Sequence, residues 1–301
     1  MYPKEELFPE NGDPIVISYG GGKNSTAMVL ALWLSKIPVS AVLFADTGNE
    51  HPDTYTFLDY FDRWLLDRGL PAITRIQFQL KGTHPRPRKK VAIKVPYRWL
   101  ASDLGCYLLA FHFFRQNYKY RSLGEECLTL GALPSKAYGH GKCSAKWKVQ
   151  VQQNWIKKVY PNTKVRVCVG IHAGEQNRLL NKDGSPKPLV TELGRDCYPL
   201  IRWGMGEQGC VALNRKFLER PPAKSACWFC PNASPSEVKA LKHDRPDLYK
   251  LGVEMEALAQ SNGARKGLGR SFHWSEVDNM DEYKQLSLDL SQTTRKCGCL
   301  D

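Results

Sequence analysis

The fold class this 301-residue sequence predicts is α/β, a parallel sheet flanked by helices. Strand-like and helix-like signals alternate through the first 80 residues, the pattern that right-handed β-α-β crossovers produce. The first apolar run enters three glycines and then a helical run, PIVISYGGGKNSTAMVLALWL over 14–34. After Pro221 the character changes to Cys-rich turns and polar helices. The expected organisation is a domain over 1–220, with a basic insertion at about 81–142, and a small Cys-rich helical region over 221–301.

The elements follow in order. Ile15–Tyr19 reads as a buried strand, and 25–36 as a helix with Met28, Leu32 and Trp33 at helical spacing. A second buried strand is expected over 39–45, an amphipathic helix over 52–68 and a third strand over 72–79. HPRPRKKVAIK, with two prolines and five Lys/Arg, reads as an exposed loop or arm, and the aromatic-rich 100–120 as helical. A long helix is expected over 142–160. It would carry Trp147, Val151 and Trp155 on one face and Lys142, Lys146, Gln150, Gln153 and Lys157 on the other. Strand character returns over 164–171 and 198–201.

No run approaches the ~20 apolar residues of a membrane span. The N-terminal stretch is acidic and Pro-bearing, unlike a signal peptide. The ten cysteines are scattered rather than spaced as a disulfide framework. The expected location is a reducing cytoplasm, with no membrane partner. Net charge is +13, made of −4 over 1–80, +16 over 81–190 and +1 over 191–301. Concentrating the excess in one segment points to a polyanionic partner, the alternative being a solubilising surface. Arg86, Arg88, Lys89, Lys90, Lys146 and Lys157 are the candidate nucleic-acid contacts.

Gly20, Gly21 and Gly22 can turn with positive φ and present N–H groups inward, at the mouth of the following helix. Lys23 adds a cation, and Ser25 a hydroxyl that can also cap the helix. This is neither a Walker A loop nor G-x-G-x-x-G. An ordinary Gly-rich strand–helix turn is the bland alternative. The second strand leads into FADTGNEHPDTYTFLDYF, where an acidic residue can hold a ribose, a magnesium ion or an adenine edge.

Together, SYGGGKNST and ADTGNEHPDT resemble the PP-loop superfamily of ATP pyrophosphatases, and more closely its phosphoadenosine phosphosulfate (PAPS) reductase-like branch. GIHAGEQNR, over 170–178, is similar to that branch's G-I-R-x-x-E-x-x-R segment, with His172 in place of the first arginine. Asn24 stands where the ATP-cleaving members usually carry aspartate. The resemblance covers roughly 14–230. It implies a Rossmann-like, adenine nucleotide alpha-hydrolase-like sheet and a nucleotide substrate, ATP with Mg2+. The implied nucleotide-binding residues are Ser18, Gly20, Gly21, Gly22, Lys23, Asn24, Ser25, Thr26, Asp46, Thr47, Gly170, Glu175 and Arg178. Lys23, Asp46 and Cys143 are the candidate catalytic residues.

Cys143 opens the basic helix in KCSAKWK, where the helix dipole, Lys142 and Lys146 favour the thiolate. It could serve as a sulfur-relay nucleophile, a metal ligand or a plain buried cysteine. Phage and bacterial members of the resembled branch carry a similar Cys-x-x-x-Trp-Lys segment. KSACWFCP places Cys227 and Cys230 at a spacing that grips one metal or one corner of a cluster. Cys297 and Cys299 in the tail can complete four sulfurs, with Cys143 as a substitute; Zn2+ and a [4Fe–4S] cluster both suit the set. Cys106, Cys127, Cys168, Cys197 and Cys210 read as core residues.

Three functions fit. The first is a PP-loop enzyme, an AMP-forming transferase or sulfurtransferase, that adenylates and then thiolates or otherwise modifies a nucleic acid, DNA or tRNA, with a sulfur-donor protein as further partner. The second is a sulfonucleotide reductase; KCGCLD only loosely resembles that family's C-terminal E-C-G-x-H stretch. The third is a non-catalytic binding protein with a degenerate loop.

Overall fold

A computed structural model describes residues 12–78, 121–139, 141–181 and 183–280. The expected basic loop over 81–100 and the helix over 100–120 lie outside the described residues, as do Arg86, Arg88, Lys89, Lys90, Cys106, Cys297 and Cys299. The described chain forms two compact units. One holds 12–46, 50–76 and 148–226; the other holds 47–49, 77–78, 121–147 and 227–280. Residues 121–139 and 141–142, the described part of the segment read as an insertion in the first domain, group with the second unit.

The first unit is a six-stranded sheet in the order β3 (Ile73–Gln77), β2 (Ala41–Asp46), β1 (Ile15–Tyr19), β4 (Val165–Val169), β6 (Gly194–Cys197), β5 (Val190–Thr191). Its first half follows the predicted alternation: β1 (Ile15–Tyr19), α1 (Lys23–Leu34), β2 (Ala41–Asp46), α2 (Pro52–Leu66) and β3 (Ile73–Gln77). β1 pairs in parallel with β2 and β4, and β4 with β6; only the two-residue edge strand β5 is shown antiparallel. Burial on both faces explains why β1 and β2 read as continuous apolar runs. Ile15, Ile17 and Tyr19 join the core under α1 and α2, while Val16 joins Ala41, Leu43, Val165 and Ile156 on the other side. α2 begins cleanly because Pro52 sits in its first turn and the His51 ring accepts from the Asp53 N–H at 3.3 Å.

In the second unit, α3 (Leu123–Leu130) starts at Ser122, whose hydroxyl accepts from the Glu125 N–H at 3.2 Å. It ends at Gly131 with φ 56°, and a Cβ there would stand 2.5 Å from Asn262 Nδ2.

The expected helix over 142–160 is interrupted. A three-residue turn, α4 (Lys142–Ser144), leads into a π turn over Ala145–Val149 and then α5 (Gln150–Val159). The boundary between the units falls inside that π turn. The single apolar face is therefore corrected: Trp147 is buried in the second unit's core, while Trp155 packs with the first unit's β-sheet core.

Back in the first unit come β4 (Val165–Val169), β5 (Val190–Thr191) and β6 (Gly194–Cys197). The strand expected over 198–201 is instead a helical turn, α6 (Pro199–Arg202), because Pro199 removes a ladder donor and suits a first helical turn. The unit continues with α7 (Glu207–Phe217). The second unit closes with α8 (Pro235–Asp244), opened by a Ser234–Glu237 capping box, and α9 (Pro246–Ser261). Buried Glu256 on α9 accepts from the N–H groups of Leu268 at 2.6 Å and Trp274 at 3.2 Å, tying the following loop to the helix. No described helix is long and apolar enough to cross a membrane.

Candidate functional site

Strand order reverses beside β1, with β2 on one side and β4 on the other. In open parallel sheets, ligands bind beyond the carboxyl ends of strands at such a switch point. The loop joining β1 to α1 lies there. Gly21 takes φ +73°, a value that favours glycine. Gly22 is the N-cap of α1 and offers no side chain, so the first-turn N–H groups carry no side-chain cap. The helix starts at Lys23, two residues before the expected position, because the backbone itself forms the cap. Ser25 Oγ accepts from the Gly20 N–H at 3.2 Å and donates to Gly22 O at 3.1 Å, bracing the turn. Gly170, just after β4, presses on the same place: a Cβ would stand 2.7 Å from Ser25 Cα and 2.8 Å from Ser25 N. Thr26 is buried and its hydroxyl meets Tyr19 Oη at 2.9 Å; burial raises the Tyr19 phenol above its ordinary value. Ser18 is half-buried on β1.

Several groups that fix this loop carried no signal in the sequence. Lys23 Nζ is paired with Glu207 at the start of α7, and the ammonium holds the Glu207 carboxyl below its ordinary range. Asn214 Nδ2 on α7 donates to Lys23 O at 2.8 Å, and the Ser225 hydroxyl donates to Gly20 O.

Behind the loop sits a buried carboxylate network. Glu175 is 3% exposed. Its Oε1 accepts from Arg178 Nη1 at 3.0 Å; its Oε2 accepts from Asn24 Nδ2 at 3.3 Å and lies 3.5 Å from His172 Nε2. His172 Nδ1 accepts from the Gly174 N–H at 3.1 Å, which leaves the ring proton on Nε2, facing Glu175. Two buried atoms of the network, Asn24 Oδ1 and Arg178 Nε, have no hydrogen-bond partner. Asp46 ends β2 buried, and its Oδ1 accepts from Tyr55 Oη at 2.7 Å; burial and Asp46 together raise the Tyr55 phenol. Glu50, not singled out from the sequence, meets Lys148 Nζ at 2.8 Å. On α5, Lys157 is exposed and 3.6 Å from Glu192.

The remaining candidates belong to the second unit. Thr47 is buried, and its hydroxyl lies 3.1 Å from Cys227 Sγ. Cys227 and Cys230 share one turn, with the Cys230 N–H donating to Cys227 O at 2.9 Å. Cys143 is half-buried at α4, its N–H donating to Ser135 Oγ at 2.8 Å. Burial raises the Cys127 thiol, and Glu126, Cys143 and Cys227 push it the same way. Lys146 pairs with Glu126 and lies over the Phe78 and Trp147 rings, at 4.8 and 5.4 Å. Among the described residues no group of three or more ligating side chains gathers as a metal site.

Residues 14–75 match the sequence profile of the phosphoadenosine phosphosulfate reductase domain. The match runs from β1 into β3, and the matched family lies in the PP-loop superfamily. The resemblance read from the glycine loop and the β2 stretch is thereby borne out. The matched PAPS reductase segment contains the whole β1–α1 loop, Asp46 and Thr47. No curated protein matches the chain. Among solved structures, the U34-tRNA thiolase NcsA from Methanococcus maripaludis with its [4Fe-4S] cluster is similar at 15% identity, over 85% of this chain and 77% of that chain, with a TM-score of 0.40.

Proposed function

We propose that this protein is a nucleotide-dependent enzyme that binds ATP at the Gly20–Ser25 loop and adenylates, then thiolates or otherwise modifies, a nucleic acid. The observation that carries the nucleotide half is the loop itself. A switch point, a side-chain-free helix N-cap at Gly22 and the close approach of Gly170 together leave backbone N–H groups free to take a phosphate oxygen. Lys23 contributes charge once Glu207 is displaced, and Asp46 is the proposed carboxylate for Mg2+ or the ribose. Glu175, with both oxygens already engaged, positions Asn24 and Arg178 rather than reacting itself. The nucleic-acid half is supported by the +16 charge of residues 81–190.

Cys143 is the candidate sulfur-relay nucleophile. Cys227 and Cys230 fit one edge of a metal centre, either Zn2+ or a [4Fe–4S] cluster, and the tail cysteines Cys297 and Cys299 are the candidates for the rest. Such a centre would supply a site for activating sulfur. Cys143, Cys227 and Cys230 by themselves do not form a three-ligand group.

A second reading, sulfonucleotide reduction, is favoured by the matched domain and by the amide at Asn24. The deciding experiment measures pyrophosphate release from ATP with and without nucleic acid, on anaerobically purified protein, beside sulfite release from PAPS. Nucleic-acid-stimulated pyrophosphate supports the first reading, and PAPS-dependent sulfite replaces it with the second. Silence in both leaves a binding protein and overturns both.

A further inference from the structure

Cys168 and Cys197 read as core cysteines in the sequence, yet the sheet sets them side by side. β4 and β6 run parallel, and in their register Cys168 is the partner of Cys197. Neighbouring strands lie about 4.7–4.9 Å apart, inside the Cα separation that a disulfide spans. Cys168 and the Arg166 guanidinium both lie within hydrogen-bonding reach of the Cys197 sulfur, and the Cys197 thiol lies 3.8 Å from Arg195 O.

Charges around the pair divide unequally. Arg166 on β4 and Arg195 on β6 favour a Cys197 thiolate; at Cys168 the hydrogen bond to Cys197 and burial outweigh Arg166 and hold the thiol protonated. The Cys168 hydrogen bond and the two arginines pull Cys197 down to about 7. By contrast, Cys210 in the same apolar core is pushed up to about 12, chiefly by burial. Access differs too. Cys168 has no exposed surface, whereas Cys197 keeps 5% at the end of β6. The edge strand covers β6 only as far as Asp196, whose N–H donates to Leu189 O at 2.8 Å.

We propose that Cys197 and Cys168 form a peroxide-oxidisable dithiol, Cys197 as the attacking sulfur and Cys168 as the resolving one, closing a reversible disulfide between β6 and β4. The Cys197 thiolate attacks one oxygen of the peroxide and the O–O bond breaks. Cys197 becomes a sulfenic acid, and the leaving hydroxide takes a proton from solvent as water. The Cys168 sulfur then attacks the sulfenic sulfur. The S–S bond forms, the S–O bond breaks, and the departing hydroxide leaves with the Cys168 thiol proton as a second water. Two electrons pass from the dithiol to the peroxide. The bond would pin β4 two residues before Gly170, the residue that touches the phosphate loop. The inference is independent of the nucleotide chemistry.

The test treats the native full-length protein with hydrogen peroxide, blocks remaining thiols, unfolds it and maps the peptides by mass. The expected product is a peptide pair joined through Cys168 and Cys197, released by a thiol reductant. In Cys168→Ser the link is lost and Cys197 is trapped as a dimedone adduct. In Cys197→Ser neither the link nor an adduct at Cys168 appears. Wild-type protein whose Cys168 and Cys197 both remain alkylatable after peroxide overturns the proposal whatever the variants do. So does a Cys197 that joins a different cysteine.

Discussion

Lys23 does not wait in the open for a phosphate; it is held by Glu207. Both side chains are nearly half exposed, 42% and 49%, so the pair is worth at most about 1 kcal/mol. Glu207→Gln should therefore tighten nucleotide binding, by up to about fivefold, while Lys23→Ala weakens it by about 1.5–3 kcal/mol. Isothermal titration with ATP checks both, and equal affinity in all three proteins refutes the role given to Lys23. Gly170 is a stricter case because its neighbour is backbone. Gly170→Ala should shift the loop and cost about 1–3 kcal/mol of stability, read by urea denaturation. Cys197 carries the pH prediction. Its thiol is lowered from the ordinary 9.0 to about 7, so its alkylation rate should rise through about pH 7 and level off above it, while Cys210 stays unreactive.

At the scale of elements, the second unit depends on its helix ends. Ser234→Ala removes the capping box of α8 and should cost about 1 kcal/mol. Glu256→Ala strands the buried N–H groups of Leu268 and Trp274 and should cost more, about 3 kcal/mol, with tryptophan fluorescence reporting the loss around Trp274. These caps show what local sequence can reveal. The β1 boundaries, the α2 start at Pro52 and the glycine loop were legible because neighbouring residues decide them. The π turn over Ala145–Val149 was not: a regular 3.6-residue count carries Trp147 onto the same face as Trp155, and only the cores on either side separate them. Likewise Glu207, Asn214 and Ser225 reach the loop from 184, 191 and 205 positions away, a distance over which no pattern reads. The Cys168–Cys197 juxtaposition was hidden for the same reason, since strand order rather than spacing creates it.

For the whole molecule, the charge asymmetry makes the sharpest claim. Binding to DNA or RNA should fall linearly in log–log terms with salt, and replacing Arg86, Arg88, Lys89 and Lys90 together should flatten that slope by about three to four. Fluorescence anisotropy across a salt series decides it; a slope unchanged in the variant removes these four from the contact surface. The second unit also has a history imposed by its connectivity. Its core draws Leu123, Leu128 and Trp147 from the middle of the chain and Phe229, Leu258 and Trp274 from near the end. A ribosome adding about 5–20 residues per second needs several seconds between the two groups. Through that interval the early half lacks these apolar partners, while the last sheet strand, ending at Cys197, is finished before Phe229 is made. A growing chain halted after Ala226 should consequently carry a protease-resistant first unit and a middle segment that chaperones bind.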